Sequence, residues 1–106
     1  MVTTAQIQRL VRQIADTFRV ERIILFGSHA EGRPTEDSDV DLLVVAPHEG
    51  RGWEHAAAIR SRLRPGFPVD LVVRSPEELR ERLDMGDDFF REIAEHGKPL
   101  YEAKHG

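Results

Sequence analysis

Phe26-Gly-Ser-His-Ala-Glu-Gly-Arg-Pro-Thr-Glu-Asp-Ser-Asp-Val-Asp-Leu-Leu43 decides the reading: one strand ends in Gly27-Ser28, and an acid-x-acid pair, Asp39 and Asp41, opens the next. The residues leading in, Arg22 to Phe26, are apolar, partly β-branched and stopped by glycine, the pattern of a short buried strand. Those leading out, Val40 to Val45, are apolar on both alternating faces and end before Pro47, which marks a second buried strand. Gly27 can take backbone angles that other residues avoid, and Ser28 with the amides after it offers donors to a phosphate at the start of a short helix ended by Gly32. In an extended strand Asp39 and Asp41 point to one side, roughly 6–7 Å apart, where they can converge on a hard cation. Glycine-serine pairs and aspartates are also ordinary turn residues, so the weight lies in the combination.

Working outward, Ile7, Leu10, Val11, Ile14 and Phe18 recur at helical spacing behind a Thr3/Gln6 capping box, which predicts an amphipathic first helix. Downstream, Gly52, Ala56, Ile59 and Leu63 form the core face of a helix broken at Arg64-Pro-Gly66. Val69 to Val73 is a third strand, and Asp70 opens it as Asp41 opens the second; neighbouring strands lie about 4.8 Å apart, so a third carboxylate can reach the same ion. Ser75-Pro-Glu-Glu78 combines an N-cap serine, Pro at the first helical position and Glu at the third, and starts a helix to about Leu83. Asp87 or Asp88 caps a last helix through Phe90, Ile93 and Ala94, with Gly97 as its stop, and Pro99 to Tyr101 adds an edge strand. The expected class is α+β, an α/β sandwich in which helices cover a small mixed β-sheet.

The chain has 106 residues, which predicts one small domain over residues 1–106 and leaves no room for a second. It contains no cysteine, which excludes disulfides, thiolate zinc and a thiol nucleophile and fits a reducing compartment. Its apolar runs fall far short of the roughly 18–20 residues of a membrane span, and its first residues lack a signal peptide's pattern, so the expected location is the cytoplasm, away from membranes. A formal net charge of −4 offers no general attraction to a phosphate backbone, which makes long DNA or RNA a poor substrate.

Gly27-Ser28, the spacing to Asp39-Val-Asp41, and Asp70 on a later strand together resemble the nucleotidyltransferase superfamily of DNA polymerase beta. The resemblance covers most of the chain, and in size the chain is similar to the minimal nucleotidyltransferases, the MNT antitoxins paired with HEPN-domain toxins. It implies a polymerase-beta-like palm in which Asp39, Asp41 and Asp70 are catalytic and bind two magnesium ions, with Asp70 completing the site for the attacking hydroxyl. Gly27 and Ser28 would hold the triphosphate of ATP. The resemblance further implies transfer of AMP to a hydroxyl, a tyrosine of a HEPN-type toxin, by an antitoxin in a hetero-oligomer. The alternative is a non-catalytic antitoxin that neutralises its partner by tight complex formation. One departure bears on this choice: Glu31 stands where many relatives carry a basic residue, leaving Arg33 to supply phosphate-side charge.

The other candidates carry less. His29, His48, His55, His96 and His105 show no metal-ligand spacing, which argues against zinc, and His29 is expected to be solvated unless it meets a phosphate or the acceptor. Trp53 is expected to cover core, with base stacking as the sharper option. Arg60, Arg62 and Arg64 read as a solvated helix face or a partner surface, and the adjacent Phe89 and Phe90 fall on different helix faces, so one should be exposed.

Overall fold

The computed structural model describes residues 1–47 and 52–104. His48 and His105, two of the histidines weighed against zinc, lie outside the described residues. The elements run α1 (Thr4–Thr17), β1 (Arg22–Phe26), β2 (Val40–Val45), α2 (Gly52–Ser61), β3 (Val69–Arg74), α3 (Pro76–Asp84), α4 (Asp88–His96) and β4 (Lys98–Glu102). Both capping boxes form: Thr3 with Gln6 opens α1 and Ser75 with Glu78 opens α3, so the orphan amides of each first turn are met locally. Asp87 caps α4 by accepting from the Phe89 and Phe90 amides.

The sheet is mixed, in the order β3-β2-β1-β4, with β1 antiparallel to both β2 and β4 and β2 parallel to β3. Alternation along the strands divides the interior. Ile23, Leu25, Val40, Leu42, Val44, Leu71 and Val73 face α1 and α2, whereas Ile24, Leu43 and Val45 face Leu79 of α3 and Phe90 and Ile93 of α4. The sheet is therefore covered on both sides, which is why β2 reads as continuously apolar after Asp41. The α+β sandwich with a small mixed sheet is thus observed. Among the described residues no helix is long and apolar enough to cross a membrane.

Three local expectations differ. The short helix expected after Ser28 does not form: residues 28–32 make a hydrogen-bonded turn, and Gly32 ends it at φ +73°. Ala94 is exposed, so the buried stripe of α4 is Phe90 and Ile93 alone. Gly97 does end α4, but at an ordinary φ of −71°; the position needs glycine because a Cβ would stand 2.5 Å from the Ile93 carbonyl oxygen and 2.6 Å from Ile24 Cγ2.

Candidate active site

Three acids meet at one end of the sheet. Asp41 is the second residue of β2 and pairs with Asp70, the second residue of β3, in the parallel register. Partners in a ladder point to the same face. Here that face is the one carrying Leu43, Val45 and Val72, where α3 and α4 pack further along. The register is tied by the Val40 amide, which donates to the Pro68 carbonyl at 3.0 Å. Asp39 sits one residue ahead of β2, behind a loop closed by Thr35 and Ser38: the Thr35 amide donates to Ser38 Oγ at 2.8 Å and the Ser38 amide to the Thr35 carbonyl at 3.1 Å.

The three charges act on one another. Asp41 is half-buried, and its carboxyl is pushed above the usual carboxylate value, first by burial and then by repulsion from Asp70 and from Asp39; His29 acts in the opposite direction. Asp39 and Asp70 are exposed. Among the described residues no three acidic, imidazole or thiol groups make a closed ligand set by themselves. Magnesium does not require one, since it takes one or two carboxylates and fills its octahedron with phosphate oxygens and water. A half-buried carboxylate under repulsion from two others is the donor chemistry a divalent cation relieves, so the residues present fit that ion.

The glycine turn lies directly against this group. Phe26 pairs with Asp41 across β1 and β2, which brings Gly27 over the carboxylate so closely that a Cβ would collide with Asp41 Oδ2. Gly27 also has φ +73°, so both its backbone and its surroundings demand glycine. Its carbonyl accepts from the Ala30 and Glu31 amides at 3.1 Å each, and the Arg33 amide closes the turn on the Ser28 carbonyl at 3.0 Å, around Gly32 in the left-handed conformation. Among the described residues the Ser28 and His29 amides donate to no protein acceptor, so two donors remain beside the carboxylates for an anion.

Sequence reasoning located Gly27, Ser28, Asp39, Asp41 and Asp70, and the fold brings all five to one end of the sheet. Arg33 is exposed and gives the turn its amide rather than its guanidinium. His29 departs from the expected solvated loop residue: its Nε2 is buried without a hydrogen-bond partner among the described residues, and its ring lies within electrostatic reach of Asp41. Trp53 does not cover core and is 63% exposed on α2. Arg60, Arg62 and Arg64 are exposed, as a solvated face requires, and Arg62 lies 5.8 Å from the centre of the Phe18 ring. Phe90 is buried and Phe89 is 49% exposed, the expected division.

Comparison with known proteins places this geometry in context. The model of the nucleotidyltransferase domain matches residues 7–101. A candidate protein adenylyltransferase of Methanocaldococcus jannaschii is 32% identical over 85 residues, covering 78% of this chain and 80% of the relative. The crystal structure of a candidate nucleotidyltransferase from Sulfolobus solfataricus superposes with a TM-score of 0.66 over 96% of this chain and 82% of its own, at 20% identity. A toxin–antitoxin crystal structure with AMP-PNP superposes with a TM-score of 0.57 over 97% of this chain and 76% of that one, at 26% identity.

Proposed function

Because the chain belongs to the nucleotidyltransferase domain family, we propose that it transfers AMP from ATP to a hydroxyl of a partner protein, a tyrosine of a HEPN-domain toxin, and so serves as the antitoxin of the pair. The observation that carries the chemistry is the register of Asp41 with Asp70 beside the Gly27 turn. The toxin partner is supported by the likeness to a toxin–antitoxin crystallised with AMP-PNP, and protein as acceptor by the adenylyltransferase relative.

In this reading the Ser28 and His29 amides hold phosphate oxygens, and the missing Cβ of Gly27 lets the chain approach Asp41 closely. Asp39, Asp41 and Asp70 would hold two magnesium ions, which when bound neutralise charge on the attacking and leaving oxygens. Asp70, exposed at the edge strand, orients the acceptor hydroxyl and takes its proton. The acceptor oxygen bonds to the α-phosphorus, the bond from that phosphorus to the bridging oxygen breaks, and pyrophosphate leaves with the electron pair. Positioning and charge neutralisation supply most of such catalysis, which suits a site built from a strand mouth and one turn.

Glu31 favours a second reading, a binder that silences its partner by occupying it, since it places negative charge where phosphates must sit. One experiment separates the two. The chain is mixed with a HEPN-type protein encoded beside it, magnesium and ATP are added, and the partner's intact mass is read. A gain of one or more AMP units, lost with Asp41→Asn, supports transfer; unchanged mass with a tight, silenced complex supports the binder.

A further inference from the structure

β3 is an edge of the sheet, with β2 on one side only. The Pro68 and Arg74 carbonyls accept from the Val40 and Ala46 amides, which directs them toward β2. Backbone groups alternate between the two sides of a strand, so those of Leu71 and Val73 point away from the sheet. Among the described residues the Leu71 and Val73 amides donate to no acceptor, and the Leu71 carbonyl accepts from no donor. A groove of about 440 Å³ runs between this edge and α2. Trp53, Ala57 and Arg60, at i, i+4 and i+7, line its helical wall and are exposed. At one end α2 abuts the strand through Gly52, where an added Cβ would stand 2.5 Å from the Val73 carbonyl oxygen. The other end leads along β3 to Asp70.

The charge on this groove is one-sided. Arg60 and Arg74 line it and no carboxylate does, on a chain whose net charge is −4. By contrast, the cleft of about 430 Å³ beside Phe89, between the Gly27 turn and α4, is rimmed by Glu31, Asp88 and Glu92. Arg74 is held in place, since its Nη1 donates to the Val73 carbonyl at 2.7 Å and its guanidinium carbon lies 5.5 Å from the centre of the Phe90 ring. A free donor–acceptor edge, an exposed indole and two guanidiniums together match an extended acidic peptide. Its backbone pairs with the edge, an apolar side chain covers Trp53, and carboxylates meet the arginines. We propose that the partner protein docks in this groove through an extended acidic segment that adds to β3 and carries its acceptor hydroxyl to Asp70. Strand residues rise about 3.3 Å each, so the acceptor lies about three positions along that segment from the contact at Val73. This inference rests on the nucleotidyl-transfer reading and says where its acceptor enters.

The test uses the full chain and the HEPN-type protein encoded beside it. Affinity for that protein, AMP transfer to it and ATP binding are measured for the native chain, Trp53→Ala, Arg60→Glu and Met85→Ala, the last an exposed apolar side chain outside the groove. Trp53→Ala and Arg60→Glu should each weaken the complex by about tenfold, the scale of an interface anchor. They should raise the partner concentration for half-maximal transfer by the same factor and leave ATP binding and the rate at saturating partner unchanged. Met85→Ala should change nothing. The Leu71 and Val73 amides should exchange with deuterium quickly in the free chain and slowly in the complex. A complex indifferent to both variants, or one in which those two amides exchange as before, overturns the docking surface, and transfer that persists there leaves the nucleotidyl-transfer reading standing. If the complex shows these losses but no AMP is transferred, the docking surface stands and the transfer reading falls. A dimer of the free chain that Trp53→Ala dissociates, or single-stranded RNA bound through Trp53, assigns the groove to another occupant and overturns the proposal. If no complex forms, both readings fail.

Discussion

Asp41 and Asp70 are direct partners across the parallel ladder of β2 and β3. Like charges opposite one another oppose sheet formation, by roughly 0.2–1 kcal/mol for an ordinary pair. The cost here is borne by strands whose remaining residues are almost all apolar, and it produces a carboxylate field that a cation can occupy. Chemistry and stability are therefore opposed at this pair.

Asp41→Asn should expose that opposition. The folded state holds this carboxyl above its ordinary value of 3.8, so the native protein binds more protons than the unfolded chain as pH rises from below 3.8 through the folded value. Stability is lost across that window and stays lower above it. The variant should melt higher than the native protein at pH 7, by up to about 1 kcal/mol, with the gap closing below 3.8. AMP transfer should fall by about 10³-fold or more. Thermal melts at several pH values, read beside the transfer assay, check both halves; a variant that is neither more stable nor less active would sink the assignment.

Magnesium should reverse the destabilisation. An ion that binds only the folded state adds about 2.7 kcal/mol at 100 times its dissociation constant. The native protein should therefore gain thermal stability with MgCl₂ at neutral pH. The gain should shrink in Asp41→Asn, and in acid it should fade as the carboxylates protonate. Melting curves across a magnesium series, with NaCl matched for ionic strength, measure it.

Glu31 lies on the turn whose amides face the acids and is exposed, so reversing its charge should leave the fold alone. Glu31→Arg should tighten ATP and tripolyphosphate alike, by about 3- to 10-fold, the range of a reversed exposed charge near an anion. The gain should diminish with added salt. Titrations at two salt concentrations distinguish this charge effect from one confined to the base.

The elements were legible where a local pattern decides them. Ile7, Leu10, Val11 and Ile14 mark one helical face, and Ser75 with Glu78 marks a helix start whatever packs on it. The aspartates were legible because a charge opening an apolar strand needs a reason. Burial of the His29 Nε2, exposure of Trp53 and the cleft beside Phe89 were not legible, because each depends on which elements meet. The His29 Nε2 is enclosed only once its turn is folded, and the Phe89 cleft exists only because α4 lies beside the Gly27 turn. Gly27 was legible as a turn glycine but not as the neighbour of Asp41; that contact follows from the pairing of Phe26 with Asp41, set across a long loop.

Gly27 and Gly32 separate these two roles of glycine experimentally. Both have φ +73°, so alanine at either meets the same backbone strain, about 1–2 kcal/mol. Around Gly32 nothing lies within 4 Å of an added Cβ, whereas at Gly27 the Cβ would strike the Asp41 carboxylate. Gly32→Ala should therefore lose only that backbone increment and keep transfer activity. Gly27→Ala should lose more stability than Gly32→Ala, because Asp41 must move or the turn must lift, and either motion separates the phosphate-side amides from the acids. Its transfer rate should fall well below that of Gly32→Ala under conditions where both are folded. Parallel melts and transfer assays of the two variants decide the matter: equal losses would mean that Gly27 serves the turn alone and that its closeness to Asp41 has no part in catalysis.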